Sequence, residues 1–159
     1  MIKIKIIALG KLKESYLREA SKEYEKRLSS YCDLEIIELS PKKLSDKPSN
    51  NEISAALDFE AEQIIKKIPK DAAVYTMCVE GKQTSSEVFA EEMKNFQNEG
   101  KTLVFIIGSS YGLSEIVKRL SFKRFSVSSM TFPHQLFRIM LLEQIYRAFK
   151  INEGGTYHK

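Results

Sequence analysis

Tryptophan is absent from the 159 residues of this chain, and cysteine and proline are scarce, with two and four residues. Cys32 and Cys78 lack the spacing of a zinc site and are too few for a disulfide framework, so we expect two reduced thiols. No run approaches the roughly 18 apolar residues that a membrane-spanning helix needs. The opening Met-Ile-Lys-Ile-Lys alternates charge where a secretory signal is continuously apolar. These absences predict a cytoplasmic protein without a membrane partner.

Several familiar enzyme motifs are also missing. The chain contains no G-x-G-x-x-G after its first predicted strand, no G-x-x-x-x-G-K-[ST] and no G-x-S-x-G. It has only two histidines, His134 and His158, and no group of carboxylates with metal-ligand spacing. Hydride transfer, nucleotide hydrolysis and metal-dependent hydrolysis are therefore disfavoured, and we expect no metal.

The composition is that of a folded protein. Hydrophobic residues make up 43% of the chain and charged residues 29%, which excludes wholesale disorder and predicts a packed core. The length is that of one ordinary domain, and no linker or internal repeat is visible. We expect a single domain over residues 1–159.

Positive charge is concentrated near the C-terminus. The net charge is +4, but residues 114–159 hold eight Lys/Arg against three Glu, a balance of +5, which leaves −1 for the first 113 residues. A neutral body with a basic end suits a polyanionic partner that meets one face of the protein. A solvated basic surface with no partner explains the same pattern equally well.

Apolar periodicity predicts strands that alternate with helices, which indicates an α/β fold with a mainly parallel sheet. Strands are predicted at residues 2–9, 34–39, 72–79, 102–107 and 122–127. Helices are predicted at residues 15–31 and 53–68, from a capping box at 84–87 through 96, from 114 onward, and at 134–151. Residues 40–51 are predicted to form a loop, and Glu80-Gly81-Lys82 a turn.

The last predicted helix is apolar nearly all round. Its only polar stripe is narrow and consists of Glu143, Arg147 and Lys150, with Glu143 and Arg147 spaced as an i, i+4 pair. A helix of this kind must be buried on more than one side. Its second buried side faces either another subunit or the centre of its own chain, and the pattern leaves both open.

Three loops follow predicted strands at the edge where α/β sheets bind ligands. Met77 lies near the end of the third strand, residues 108–114 follow the fourth, and residues 128–134 follow the fifth. Glycines in the second loop allow close backbone approach, and the third is rich in hydroxyl groups. Each loop taken alone is equally explained as an ordinary turn.

The final residues carry groups that can recognise RNA. The tail at 152–159 has two glycines and ends in Tyr157, His158 and Lys159, which can stack on a base and contact phosphate. A frayed terminus without a role is the alternative.

Taken together, these segments resemble the ribosomal RNA large subunit methyltransferase H family, which belongs to the SPOUT class. The resemblance is carried by Ile-Gly-x-x-x-Gly-Leu at 107–113, Ser-x-Met-Thr-Phe-Pro-His-Gln at 128–135, Leu-Leu-Glu-Gln-Ile-Tyr-Arg-Ala-Phe-Lys-Ile at 141–151 and the terminal Tyr-His-Lys. It extends over the whole chain, including residues 6–13 and 23–28. The block from Met130 to the end is the most specific part.

The resemblance implies a fold and an activity. SPOUT enzymes have a mainly parallel sheet flanked by helices, with a trefoil knot near the C-terminus, and they work as homodimers. The implied reaction is methyl transfer from S-adenosyl-methionine to N3 of a pseudouridine in 23S rRNA, on the assembled 70S ribosome. The tail of one subunit is expected to complete the site of the other.

The resemblance also implies roles for individual residues. The implied cofactor-binding positions are Met77, Gly108, Val127, Ser128, Ser129, Met130, Thr131 and Phe132. The implied RNA-binding positions are Arg138, Arg147, Tyr157 and His158. Arg147, Tyr157 and His158 are also candidates for the catalytic site, together with Glu143, which would orient Arg147. Either His158 or water would accept the N3 proton.

Three residues depart from the family pattern, and two other functions stay open. Ser109 stands where a second glycine is common, Ser129 where a lysine is common, and Glu153 where a basic residue is common. The last two changes remove positive charge beside the expected RNA site. The alternatives are a SPOUT methyltransferase that acts on transfer RNA or on ribose 2′-hydroxyls, and a catalytically silent RNA- or ribosome-binding protein.

Overall fold

The computed structural model describes residues 1–158 and contains one five-stranded sheet. Its strands are β1 (Ile2–Leu9), β2 (Cys32–Leu39), β3 (Ala72–Gln83), β4 (Thr102–Ile107) and β5 (Lys123–Ser126). Its α-helices are α1 (Ser15–Leu28), α2 (Asn50–Ile65), α3 (Ser86–Asn98), α4 (Glu115–Leu120) and α5 (His134–Asn152), followed by a 3₁₀ turn at Thr156–His158.

The strands are ordered β2-β1-β4-β3-β5, and all four neighbouring pairs are parallel. The central strand is β4, whose continuous apolar sequence Thr-Leu-Val-Phe-Ile-Ile suits a position covered on both faces. The predicted α/β class with a mainly parallel sheet is therefore confirmed. The single-domain organisation and the trefoil knot stay predictions.

Side chains alternate along the strands between two cores. In β1, Ile4 and Ile6 face the core that α1, α3 and α5 cover, whereas Ile7 faces the core under α2 and α4. In β3, Tyr75 faces the core that α1, α3 and α5 cover, and Val74 faces the core under α2 and α4. The helices thus cover both faces of the sheet, and its strand ends are left to form the site.

Most predicted boundaries lie within three residues of those observed. Both α1 and α2 end earlier than predicted, and α2 begins at Asn50, because the Ser49 hydroxyl accepts a hydrogen bond from the Glu52 backbone N–H. The helix α3 is capped by Ser85, whose hydroxyl accepts from the Val88 N–H, so the predicted capping box at 84–87 was one residue out of place.

The predicted turn at 80–82 was wrong, because β3 continues to Gln83. The pairing with β5 shifts register there, so that Met77 and Lys82 both lie opposite Phe125. This bulge lets the strand rejoin β5 instead of leaving the sheet. A Cβ on Gly81 would lie 2.8 Å from backbone atoms of Arg124 and Phe125. The glycine is required by this close approach of two backbones.

Replacing Gly81 with alanine should destabilise the fold by about 2 kcal/mol, the usual cost of overpacking a site that cannot yield. Chemical denaturation of the purified variant measures this change. Lys82→Ala, at the exposed neighbouring position, is the matched control and should stay close to the parent. Equal stability of the parent and the Gly81→Ala variant would contradict the conclusion that the close approach of β3 and β5 requires a glycine at position 81.

The helix α5 packs against both α1 and α3 in its own chain and covers one face of the sheet. Leu141, Leu142 and Ile145 are buried there, whereas Leu136 is 40% exposed. Burial within one chain thus explains most of the apolar surface of this helix. The second subunit stays a prediction.

The two cysteines are free and buried, and burial raises the pKa of Cys32 to about 12. No helix within residues 1–158 is both long enough and apolar enough to cross a membrane. The same residues bring no three His, Cys, Asp or Glu side chains together as metal ligands.

Candidate functional site

A cavity of about 580 Å³, which we call the main cavity, lies at the carboxyl ends of β4 and β5 and beside the bulge of β3. Seven of the eight positions predicted to bind a cofactor line it: Met77, Gly108, Val127, Ser128, Met130, Thr131 and Phe132. Ser129 does not line the cavity. The structure therefore gathers nearly the whole predicted set around one space.

The cavity wall has a different chemistry on each side. Met77, Phe132 and Phe137 provide apolar surface, while the two loops after β4 and β5 provide hydroxyl and backbone polar groups. The Ser126 hydroxyl donates to the Ser128 carbonyl at 2.7 Å, and the Ser128 hydroxyl accepts from the Met130 N–H at 3.0 Å. These two hydrogen bonds lie within the loop after β5 and hold its backbone in shape.

Gly108 has a role within the loop itself, and the close ligand approach predicted for it stays a prediction. A Cβ at this position would overlap the Gly112 carbonyl group of the same loop. The loop closes through a 2.9 Å hydrogen bond from the Gly112 N–H to the Ser109 carbonyl, and Gly112 has φ +85°. Gly108 thus lets the loop fold tightly on itself at the cavity.

Three other residues that line the cavity were not among the predicted cofactor-binding positions, although His134 lies in the predicted loop at 128–134. Lys118 on α4 and Glu80 in the β3 bulge form an ion pair at 2.6 Å on the cavity wall, and this bond lowers the pKa of Glu80. His134 also lines the cavity, and burial lowers its pKa. The bulge that positions Glu80 was itself missed, so no local pattern could have placed this pair.

A second group of predicted residues, which we call the tail cluster, consists of Glu143, Arg147, Tyr157 and His158. The Arg147 guanidinium donates to Glu143 Oε1 through Nε at 2.9 Å and through a terminal nitrogen at 2.6 Å. The Tyr157 hydroxyl donates to the same oxygen at 3.3 Å, and the guanidinium lies 4.8 Å from the Tyr157 ring centroid. The predicted Glu143–Arg147 pair on α5 therefore exists, and the tail packs on it.

The imidazole of His158 is held between two charged groups. Its Nδ1 lies 3.3 Å from the Arg147 guanidinium, and its Nε2 lies 2.7 Å from Glu87 Oε1 at the start of α3. Because arginine only donates, Nδ1 must be the acceptor, and Nε2 carries the proton that it donates to Glu87. This bond is the main reason that the pKa of Glu87 is lowered. Glu87 was not predicted from the sequence as part of the site.

The ionisation of the tail cluster limits its chemistry. Burial raises the pKa of Tyr157 to about 12, so its hydroxyl stays protonated at neutral pH and acts as a donor. The hydrogen bond to Glu143 raises the pKa of Arg147, which stays cationic. Nδ1 of His158 is therefore the one nitrogen of the tail cluster that has a lone pair to accept a proton.

The tail cluster lies beside a second cavity of about 410 Å³, which is lined by Glu143. Phe125 and Val127 line both this cavity and the main one. Arg147, Tyr157 and His158 do not line the main cavity. Within one chain, the predicted cofactor-binding residues and the tail cluster are therefore neighbours, but they do not line the same cavity.

Arg138 does not join the tail cluster. It is only 5% exposed, and it donates to Glu38 Oε2 at 2.8 Å and to the Gly10 carbonyl at 3.0 Å. These bonds tie α5 to the ends of β1 and β2. The RNA contact predicted for Arg138 stays a prediction, and in this structure the guanidinium has little exposed surface for a phosphate.

Comparison with known protein families decides the classification. The family model described as "Predicted SPOUT methyltransferase" matches residues 2–158. The chain belongs to the SPOUT methyltransferase family.

Individual SPOUT relatives match the chain almost from end to end. It is 48% identical over 157 residues to the ribosomal RNA large subunit methyltransferase H of Bacillus cytotoxicus, covering 98% of this chain and 99% of that protein. It is 47% identical, with the same coverage, to the corresponding protein of Bacillus thuringiensis and to a putative one of Methanococcus maripaludis. The resemblance to the ribosomal RNA large subunit methyltransferase H family, inferred from the sequence motifs, is therefore confirmed.

Proposed function

We propose that this SPOUT protein transfers a methyl group from S-adenosyl-methionine to N3 of a pseudouridine in 23S rRNA, on the assembled 70S ribosome in the cytoplasm. One observation carries the proposal: residues matching the family's cofactor positions surround a single cavity at the carboxyl edge of a parallel sheet. The full-length similarity to ribosomal RNA large subunit methyltransferase H proteins supports the choice of substrate.

The main cavity fits the proposed cofactor. Met77 and Phe132 offer apolar surface to a purine ring, while the loop at 126–130 offers polar groups for its edge. The volume of about 580 Å³ is in the range of small-molecule sites. S-adenosyl-methionine supplies, when bound, a methyl group on a positively charged sulfur, so the protein needs mainly to position the acceptor and exclude water.

His158 is the proposed base for the N3 proton. The N3–H bond breaks and the proton passes to Nδ1, so that the electron pair left on N3 would accept the methyl group that bound S-adenosyl-methionine would supply. Nδ1 is the acceptor nitrogen of the observed tautomer, and it faces Arg147. Binding of an RNA phosphate by Arg147 would free Nδ1, and Glu87 would stabilise the resulting imidazolium.

We also propose that the protein is a homodimer in which the tail of one chain completes the main cavity of the other. Two observations support this arrangement. The tail cluster and the main cavity are separated within one chain by Phe125 and Val127, and the apolar side chain of Leu136 on α5 is 40% exposed.

Radiolabelled S-adenosyl-methionine tests the proposed function. It is incubated with the protein and with 70S ribosomes, separate subunits or transfer RNA from cells that lack this protein. We expect label only in 23S rRNA of 70S ribosomes, at a pseudouridine. Label in transfer RNA would overturn the substrate, and no label without cofactor binding would indicate a silent RNA-binding protein.

Removal of Glu87 should disturb His158 without unfolding the protein. In Glu87→Ala the imidazole loses its carboxylate partner, so we expect less of the Nε2–H tautomer and a fall in kcat on the order of tenfold. Nitrogen-15 chemical shifts of His158 report the tautomer independently of activity.

Two further variants complete this test. Glu91→Ala removes an exposed carboxylate one turn further along α3 and should leave the His158 shifts unchanged. Glu87→Gln keeps an acceptor oxygen and should restore much of the tautomer preference. Unchanged nitrogen shifts in Glu87→Ala would show that Glu87 does not orient His158.

A further inference from the structure

The basic C-terminal end found in the sequence is largely neutralised by folding. Of the seven Lys/Arg residues at positions 114–158, six form an ion pair with a carboxylate. These pairs are Lys118–Glu80, Lys123–Glu92, Arg124–Glu115, Arg138–Glu38, Arg147–Glu143 and Lys150–Glu153, with N–O distances of 2.6 to 3.5 Å. Several of the carboxylates come from distant parts of the chain. This end is therefore a weaker attractor of RNA than its sequence predicts.

Unpaired positive charge is found instead at the ends of β1 and β2. Lys11 and Lys13 follow β1, and Lys42 and Lys43 follow β2. All four are exposed, and none forms an ion pair with a carboxylate among residues 1–158. Because β1 and β2 are parallel neighbours, their carboxyl ends bring these residues to the same edge of the sheet. We call them the β1–β2 lysine cluster.

The segment that carries Lys11 and Lys13 is ordered by specific contacts. Arg18 donates to the Leu12 carbonyl at 3.2 Å, and the Lys13 N–H donates to Gln135 Oε1 at 2.8 Å. Leu12, between the two lysines, is buried. The two lysines are thus presented to solvent from a fixed backbone, which lowers the entropy cost of using them in binding.

The β1–β2 lysine cluster also lies next to the main cavity. Lys11, Lys13 and Lys42 line a third cavity of about 350 Å³. Ser109, Ser110 and His134 line both this cavity and the main one. An RNA strand held by the lysines would therefore pass close to the place where we propose that the cofactor binds.

The one carboxylate at the bottom of this third cavity does not cancel the lysines. Glu60 is 4% exposed and accepts a hydrogen bond from the Lys42 backbone N–H at 3.0 Å. Burial raises its pKa, which disfavours its charged form.

We propose that the β1–β2 lysine cluster binds backbone phosphates of the RNA substrate and guides the acceptor nucleotide to the main cavity. The proposal rests on the proposed function, because it assumes an RNA substrate. Lysine is a strongly hydrated point charge that suits phosphate contacts without base specificity. Each phosphate contact releases bound counterions, so this binding should depend on salt.

The test neutralises two members of the cluster. Lys11→Gln/Lys13→Gln should reduce the slope of log K against log salt for ribosome binding by about 1.5, at roughly 0.7–0.9 per lost phosphate contact. KM for ribosomes should rise about tenfold or more, whereas kcat and the Kd for S-adenosyl-methionine should stay unchanged. Co-sedimentation with 70S ribosomes at several KCl concentrations measures the slope.

Lys66→Gln/Lys67→Gln is the matched control. These two lysines are exposed and lie beyond the end of α2, at the opposite edge of the sheet, so their loss should leave the slope as it is in the parent. If the two double variants give the same slope of log K against log salt for ribosome binding, the proposal is overturned. A failure of the proposed function is distinguishable, because the parent would then methylate no RNA while the binding slopes of the variants could still be compared.

Discussion

Replacing Arg147 with alanine should lower methyl transfer to RNA by about 100-fold or more while leaving the affinity for S-adenosyl-methionine unchanged. Arg147 connects every part of the tail cluster, because it binds Glu143, approaches His158 Nδ1 and lies over the Tyr157 ring. Its loss leaves Glu143 half-buried and unpaired with any cation, and it removes one of the two contacts of the His158 ring. A positioned general base contributes about 10² to 10⁴ in rate, and much of this factor is lost when the His158 ring is no longer held in place.

Single-turnover kinetics with saturating ribosomes measure the rate, and calorimetry measures cofactor binding. Arg124→Ala removes a different arginine–glutamate pair, which is exposed and forms no hydrogen bond with the tail cluster within residues 1–158, and should retain the parent rate. Arg147→Lys keeps the charge but not the two-pronged bond to Glu143, so it should recover only part of the activity. Full activity of Arg147→Ala would remove the tail cluster from the mechanism.

Replacing Gly108 with alanine should weaken the binding of S-adenosyl-methionine by about 10- to 100-fold. The new Cβ would overlap the Gly112 carbonyl, so the loop must open by breaking its Ser109–Gly112 closure. Overpacking of this kind costs about 1–3 kcal/mol, which converts to that loss of affinity when it falls on the bound state. Isothermal titration with the cofactor measures the effect.

Ser110→Ala is the control in the same loop. The Ser110 hydroxyl lines the main cavity but forms no hydrogen bond within residues 1–158, so this change should weaken binding much less. Thermal unfolding of both variants separates a local opening of the loop from a loss of the fold. Parent-like affinity in a folded Gly108→Ala protein would show that the loop can adapt.

The candidate site divides into parts that the sequence predicted and parts that it did not. The loop positions that line the main cavity could be predicted, because loops after parallel strands meet at one edge and their motif matched a family. Glu87, Glu80 and Lys118 could not, because each acquires its role from a partner distant in sequence, such as His158 for Glu87. The β3 bulge also escaped, since Glu-Gly-Lys is equally typical of a turn.

The sequence by itself determined the alternation of strands and helices, the central position suited to β4 and the polar stripe on α5. These features depend on local periodicity, which every residue contributes to independently of the rest of the chain. Only the tertiary structure decided which charged side chains form ion pairs and which do not. It buried Arg138 against Glu38 and left Lys11 and Lys13 without an ion pair among residues 1–158, because an ion pair depends on which side chains the fold brings within a few ångströms.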